Sequence, residues 1–250
     1  MLLVGDPHVE LATPTGPMRT YLYRPLPAAG TRDRERYPGI VLYSEIFQRT
    51  APIHRMAMLL AGHGFLVALP EIFHAHEPAG SVLAYDEAGT ARGNAWKAAT
   101  PPSAHDGDAR AVLDHLAASP SCTGALGAIG VCIGGHLAYR AALQPDVRAT
   151  ACFYATNLHD ASLGGGDDSL ARASDITGEL MMVWGRQDPH VPDAGRATIR
   201  HRLVEAGTNL TWFEHNAQHA FLRDEGRRYD PALALASYAQ VVELFRRTLA

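Results

Sequence analysis

The sequence predicts an α/β fold: a mostly parallel central sheet with helices on both faces and antiparallel strands at its N-terminal edge. Three observations predict it. Short apolar runs alternate with stretches whose apolar residues recur at helical spacing, the pattern of strands joined by crossover helices. Several runs are apolar throughout, as in Gly39-Ile-Val-Leu-Tyr-Ser44, which marks strands covered on both faces. Val9–Thr13 and Met18–Tyr23, in contrast, are joined by the turn-rich Pro14-Thr-Gly-Pro17, as an antiparallel pair is.

In chain order, a polar link from Pro25 to Tyr37 precedes the 39–44 strand, and Glu45 stands at its carboxyl end. Ile53 to Gly64 has helical spacing and a glycine stop, and Phe65–Leu69 reads as the next buried strand. Residues 71–102 are irregular; with His74, His76, Tyr85, Arg92 and Trp96 they suit a lid or wall over a site. A helix over 105–118, with Ala109, Val112, Leu113 and Leu116 on one face, leads into a strand through Leu126–Val131. After a bend at Cys132, Leu137, Ala138, Ala141, Ala142 and Leu143 suit a helix packed on that strand. Strands at Arg148–Ala155 and Glu179–Trp184 are separated by a polar link containing Gly164–Asp168. A helix over Ala194–Ala206, a short strand at Leu210–Glu214 and an amphipathic helix over Pro231–Leu249 close the chain. There is no internal repeat, and 250 residues suffice for one α/β domain spanning 1–250.

Composition narrows the function. A net charge of −4 with scattered Lys and Arg gives no footprint for nucleic acid. The longest apolar stretch, 56–70, contains His63 and two glycines and is too short to span a bilayer, so no membrane partner is expected. The N-terminal Met1–His8 stretch lacks the basic region of a secretory signal. Three cysteines, at 122, 132 and 152, fit neither a disulfide framework nor a four-thiolate zinc site, and a reduced cytoplasmic setting follows. His215 and His219 are four apart without the glutamate of a zinc-helix pair between them; neither metal nor cofactor is expected, and the partner is a small-molecule substrate.

The stretch that points to chemistry is Ala128-Ile-Gly-Val-Cys-Ile-Gly-Gly-His-Leu-Ala138. Gly130 and Gly134 flank Cys132 in the form G-x-C-x-G, the spacing of a nucleophile elbow between strand and helix. A cysteine at a helix N-terminus beside a histidine can become an attacking thiolate. Reactive groups in such sheets gather at strand carboxyl ends, where Glu45, Cys132, Asp188 and His219 all fall. The order nucleophile, acid, histidine is that of an α/β-hydrolase triad: Cys132 attacks, His219 relays the proton and Asp188 orients it. The amides of Ile133 and Ile46 are candidate oxyanion donors.

Glu45-Ile-Phe47, the Gly-x-Cys-x-Gly-Gly elbow and His219-Ala-Phe-Leu-Arg223 together resemble the dienelactone hydrolases of the α/β-hydrolase fold, over nearly the whole chain. The resemblance implies a cysteine hydrolase of cyclic esters with Cys132, Asp188 and His219 as its triad. It also implies that Glu45 pairs with the resting thiol and moves when substrate binds. Arg223 and Arg92 look like the arginines that hold a substrate carboxylate, and Trp96 like the aromatic wall of that pocket. The alternative from another class is a catalytically silent scaffold for ligand binding or protein interaction.

Overall fold

The structure, a computed structural model, describes residues 3–4, 8–25 and 36–250. The Met1–His8 stretch and the polar link after Pro25 lie largely outside the described residues. The antiparallel edge consists of β1 (Leu3–Val4), β2 (His8–Thr13) and β3 (Gly16–Pro25), with β1 and β2 both paired to β3. Then come β4 (Tyr37–Tyr43), α1 (Ala51–Gly62), β5 (Leu66–Pro70), α2 (Glu87–Ala99), α3 (Pro102–Ala118), β6 (Cys122–Val131) and α4 (Ile133–Ala142). The chain continues through β7 (Val147–Phe153), β8 (Glu179–Gly185), α5 (Asp193–Glu205), β9 (Leu210–His215) and α6 (Pro231–Leu249). Between β7 and β8 stand two 3-10 turns, Leu163–Gly165 and Ser169–Asp175.

The strand order is β1-β3-β5-β4-β6-β7-β8-β9, parallel from β5 to β9, with β3 antiparallel to β5. Side chains alternate between the sheet faces, and each face finds its own helices. Ile40 and Leu42 of β4, Val67 and Leu69 of β5, and Met181 and Val183 of β8 pack with Ile53, Met56 and Leu60 of α1 and Val241, Leu244 and Phe245 of α6. Val41, Tyr43, Leu66, Ala68, Met182 and Trp184 face the other way, toward Val112, Leu113 and Leu116 of α3, Leu137 of α4 and Ile199 and Leu203 of α5. Fully burying one such side chain contributes about 1.5–3 kcal/mol. Both-face burial is why the strands read as unbroken apolar runs.

This α/β-hydrolase architecture fixes where a site can form. From β4 the chain crosses through α1 to β5 on one side, and β6 then lands on the other side of β4. The crevice of such a topological switch opens at the carboxyl ends of β4 and β6, directly before Glu45 and Cys132. Two departures from the expected elements lie nearby. The irregular 71–102 segment contains helix α2, capped where the Asp86 side chain accepts the Gly89 amide at 2.7 Å. Helix α3 begins at Pro102 rather than His105, the proline occupying the first turn, where its missing N–H costs nothing. No helix among the described residues is long and apolar enough to cross a membrane.

Candidate active site

Cys132 stands between β6 and α4 with φ 60° and ψ −124°, a conformation a non-glycine residue rarely adopts. Its backbone is tied on both sides: its N–H donates to the Phe153 carbonyl at 3.1 Å, and its carbonyl accepts the Gly135 and Thr156 amides at 3.1 and 3.2 Å. The flanking glycines are steric necessities. A Cβ on Gly130 would fall 1.9 Å from the Gly134 carbonyl oxygen, and one on Gly134 would fall 2.3 and 2.4 Å from the carbonyl oxygens of Tyr43 and Ser44. The bend thus places a half-buried thiol at the N-terminus of α4, where the helix dipole favours a negative charge. Cys122 and Cys152 are buried in the core, and burial alone pushes the Cys152 thiol far up.

Asp188 and His219 come from the loops after β8 and β9. Gly185 lets those loops cross, because a Cβ there would meet the Ala217 carbonyl oxygen at 2.4 Å. Asp188 is buried and divides its oxygens: Oδ1 accepts the His190 amide at 2.8 Å, and Oδ2 accepts His219 Nδ1 at 2.7 Å. Its position before Pro189 is therefore both a turn and a partner for the ring. Burial disfavours the His219 imidazolium, but its interactions with Cys132 and Asp188 outweigh it, and the ring is pushed up to about 9. Tyr154 meets His219 edge-on, with centroids 4.9 Å apart.

Glu45 is buried beside them. Tyr85 donates to its Oε1 at 2.5 Å, and Arg223 Nη1 lies 3.6 Å from its Oε2. Burial raises the carboxyl above its ordinary value, with Arg223 and Tyr85 acting the other way. These two contacts are the polar partners of the Glu45 carboxylate among the described residues, donors that satisfy its oxygens. The guanidinium of Arg223 also lies over the Tyr85 ring, 4.4 Å from its centroid. Ile133 opens α4, so its N–H is outside the intrahelical ladder. Among the described residues the Ile46 amide likewise donates to no backbone carbonyl.

A cavity of about 460 Å³ joins these groups. Glu45, Ile46, Phe47, Cys132, His219 and Arg223 line it. Tyr85, expected in the wall over the site, lines it too, as do Lys97, Thr156, His190 and Arg228, which were not foreseen as site residues. Arg92 and Trp96 are not among its lining, which corrects the expectation for both. Arg92 makes a two-pronged pair with the buried Glu77 at 2.5 and 2.9 Å, and Trp96 Nε1 donates to the same carboxylate at 2.6 Å while its ring stacks on His76. The reason is helical phase. Glu87, Thr90, Asn94 and Lys97 share one arc of α2, roughly 80° wide at 3.6 residues per turn, and Arg92 and Trp96 lie on the far side.

One ligand atom each of Asp188, His190 and His219 falls within 4.8 Å of the others. Asp188 Oδ2 and His219 Nδ1 are already bonded to each other, and Asp188 Oδ1 accepts the His190 amide.

The sequence matches the profile of the dienelactone hydrolase family over residues 18–249. The chain belongs to the dienelactone hydrolase family. As a member it is a carboxylic ester hydrolase, of a family acting on ester or lactone bonds. The hydrolase is 36% identical over 258 positions to a Saccharomyces cerevisiae protein with the provisional name carboxymethylenebutenolidase, covering 99% of this chain and 93% of that one. It is 27% identical over 224 positions to the carboxymethylenebutenolidase of a Pseudomonas species, covering 89% and 87%. A Klebsiella pneumoniae structure provisionally named a dienelactone hydrolase superposes with a TM-score of 0.85 at 20% identity, covering 98% and 99% of the two chains, and shares the fold.

Proposed function

We propose that this hydrolase cleaves a lactone, ester or thioester through a Cys132 acyl-enzyme, with Asp188 and His219 completing the triad. The observation that carries the reading is that His219, fixed by Asp188 at 2.7 Å, lines one cavity with Cys132. The thiolate attacks the carbonyl carbon, and the oxyanion that forms is met by the N–H groups of Ile133 and Ile46. Collapse breaks the bond to the leaving oxygen or sulfur, which takes the proton from the His219 imidazolium. For a lactone the leaving alcohol stays tethered to the acyl group. His219, now neutral, deprotonates a water that attacks the thioester; collapse releases the carboxylic acid and returns the thiolate.

Glu45 sits where a shift of its carboxylate away from Tyr85 and Arg223 brings negative charge toward Cys132, which makes it an accessory base. With Arg92 turned away, positive charge for a substrate carboxylate falls to Arg223, supported at the rim by Lys97 and Arg228. Turnover of an activated ester by wild type, Cys132→Ala and His219→Ala tests the scheme: both variants are expected to lose almost all activity. Undiminished turnover in Cys132→Ala refutes it. A silent scaffold for ligand binding predicts instead a Cys132 that resists alkylation.

A further inference from the structure

Behind the elbow lies a chain of buried polar groups that the acyl-transfer scheme leaves unused. His136 is on α4, four residues past Cys132, and fully buried. Its Nδ1 is 2.9 Å from the Thr156 carbonyl oxygen, and its Nε2 is 2.8 Å from Ser169 Oγ. A carbonyl only accepts, so Nδ1 carries the proton. Burial pushes the ring down to about 3, which keeps it neutral and leaves Nε2 as an acceptor. Ser169 must then donate to Nε2, and it accepts from Arg140 Nη1 at 2.8 Å. Arg140 in turn makes a two-pronged pair with Asp106 at 2.7 and 2.6 Å and contacts Asp167 at 2.9 Å. Every proton direction from the aspartates to Thr156 is therefore set.

The far end of that chain touches the nucleophile. The Thr156 amide donates to the Cys132 carbonyl at 3.2 Å, and Thr156 lines the cavity. Contact between α4 and the end of β7 is close enough that a Cβ on Gly135 would meet the Phe153 carbonyl oxygen at 2.7 Å. A residue at φ 60° persists only where its surroundings over-determine it. We propose that His136 is a positioning residue for Cys132: backed by Ser169 and Arg140, it holds the loop after β7 on the elbow, so that the Thr156 amide keeps the nucleophile's backbone in its reactive setting. The inference rests on Cys132 being the nucleophile. It also gives the 167–175 segment a task, since Asp167 and Ser169 are what the chain is anchored to.

The test uses the full-length protein with Ser169→Ala, His136→Phe and His136→Asn, with Cys132→Ala as blank. Turnover of an activated ester is normalised to alkylatable thiol, and Tm is measured for each. Ser169→Ala and His136→Phe are expected to lose about tenfold or more in kcat per titrated thiol. KM should stay within about twofold, as for a loss felt only in the transition state. His136→Asn keeps an N–H for the Thr156 carbonyl and should recover much of the loss. Wild-type kcat per thiol in Ser169→Ala, whatever its Tm, overturns the proposal, and this variant decides the matter if His136→Phe fails to fold. Retained turnover in Cys132→Ala marks a different failure, that of the nucleophile assignment itself.

Discussion

Gly134→Ala is the sharpest perturbation of the elbow. The added Cβ would lie 2.3 Å from the Tyr43 carbonyl oxygen and 2.4 Å from that of Ser44, where real contacts do not fall below 3.0 Å. Both obstacles are backbone at and just after the end of β4, where Tyr43 pairs with Gly130 of β6, so no side chain can swing aside. The contact must open by at least about 0.7 Å, a strain of the overpacking kind that costs roughly 1–3 kcal/mol. For a chain of this length that lowers Tm by roughly 2–12 °C. The displacement falls on the first turn of α4, where the Cys132 backbone and the Ile133 amide sit. A misplacement near 1 Å costs up to about 100-fold in rate, so kcat per alkylatable thiol should fall by about 30- to 100-fold. Gly62→Ala is the control, since a Cβ there meets nothing within 4 Å. A folded Gly134→Ala protein with kcat close to wild type would refute the assignment of the elbow as the catalytic turn.

Four further outcomes follow from the site. In Cys132→Ala the side chain that lifts His219 is gone while its burial remains, so the ring should titrate below its wild-type value of about 9 in an imidazole NMR titration; an unchanged value contradicts the coupling. Because a raised His219 stabilises the fold fully below its ordinary 6.5 and loses that contribution as pH rises through about 9, the fall of wild-type Tm across that window should be shallower in Cys132→Ala. Glu45 is an acid raised by burial, so its ionisation costs stability as pH rises from 4.5 through its folded value; Tm of Glu45→Gln relative to wild type should therefore increase over that range, and a relative decrease refutes the sign. Arg92→Met strips two donors from buried Glu77 and should cost about 1–3 kcal/mol in thermal unfolding without changing the KM ratio of carboxylated to neutral esters, whereas Arg223→Met should raise that ratio.

What the sequence reveals and conceals divides along physical lines. The elbow is legible because its requirements are local: Gly130 and Gly134 are forced by contacts within the turn and with the adjacent strand, and the apolar runs on either side declare strand and helix. Glu45 and Asp188 are legible as strand-end residues, because a buried strand's end can be read from where its apolar run stops, and His219 from its place after the short strand that follows α5. Helix α2 is concealed by Gly89 and Gly93, which break its periodicity; each is needed for close packing, Gly93 against the Ile46 carbonyl oxygen at 2.7 Å. Once that helix is hidden, the faces of Arg92 and Lys97 cannot be told apart, and Arg92 looks like the better anion binder. Arg228 and His190 enter the cavity only through tertiary placement of loops, which no local pattern encodes.

The distance along the chain between the elbow and its histidine has a consequence for synthesis. His219 follows Cys132 by 87 residues. At about 5–20 residues per second, a ribosome makes the thiol roughly 4–17 s before the histidine proposed to activate it. During that interval β8, β9 and the loop that carries His219 are incomplete, and Cys132 lacks its proposed partners. In the proposed scheme the nascent chain therefore carries its nucleophile unarmed until the last parallel strand docks.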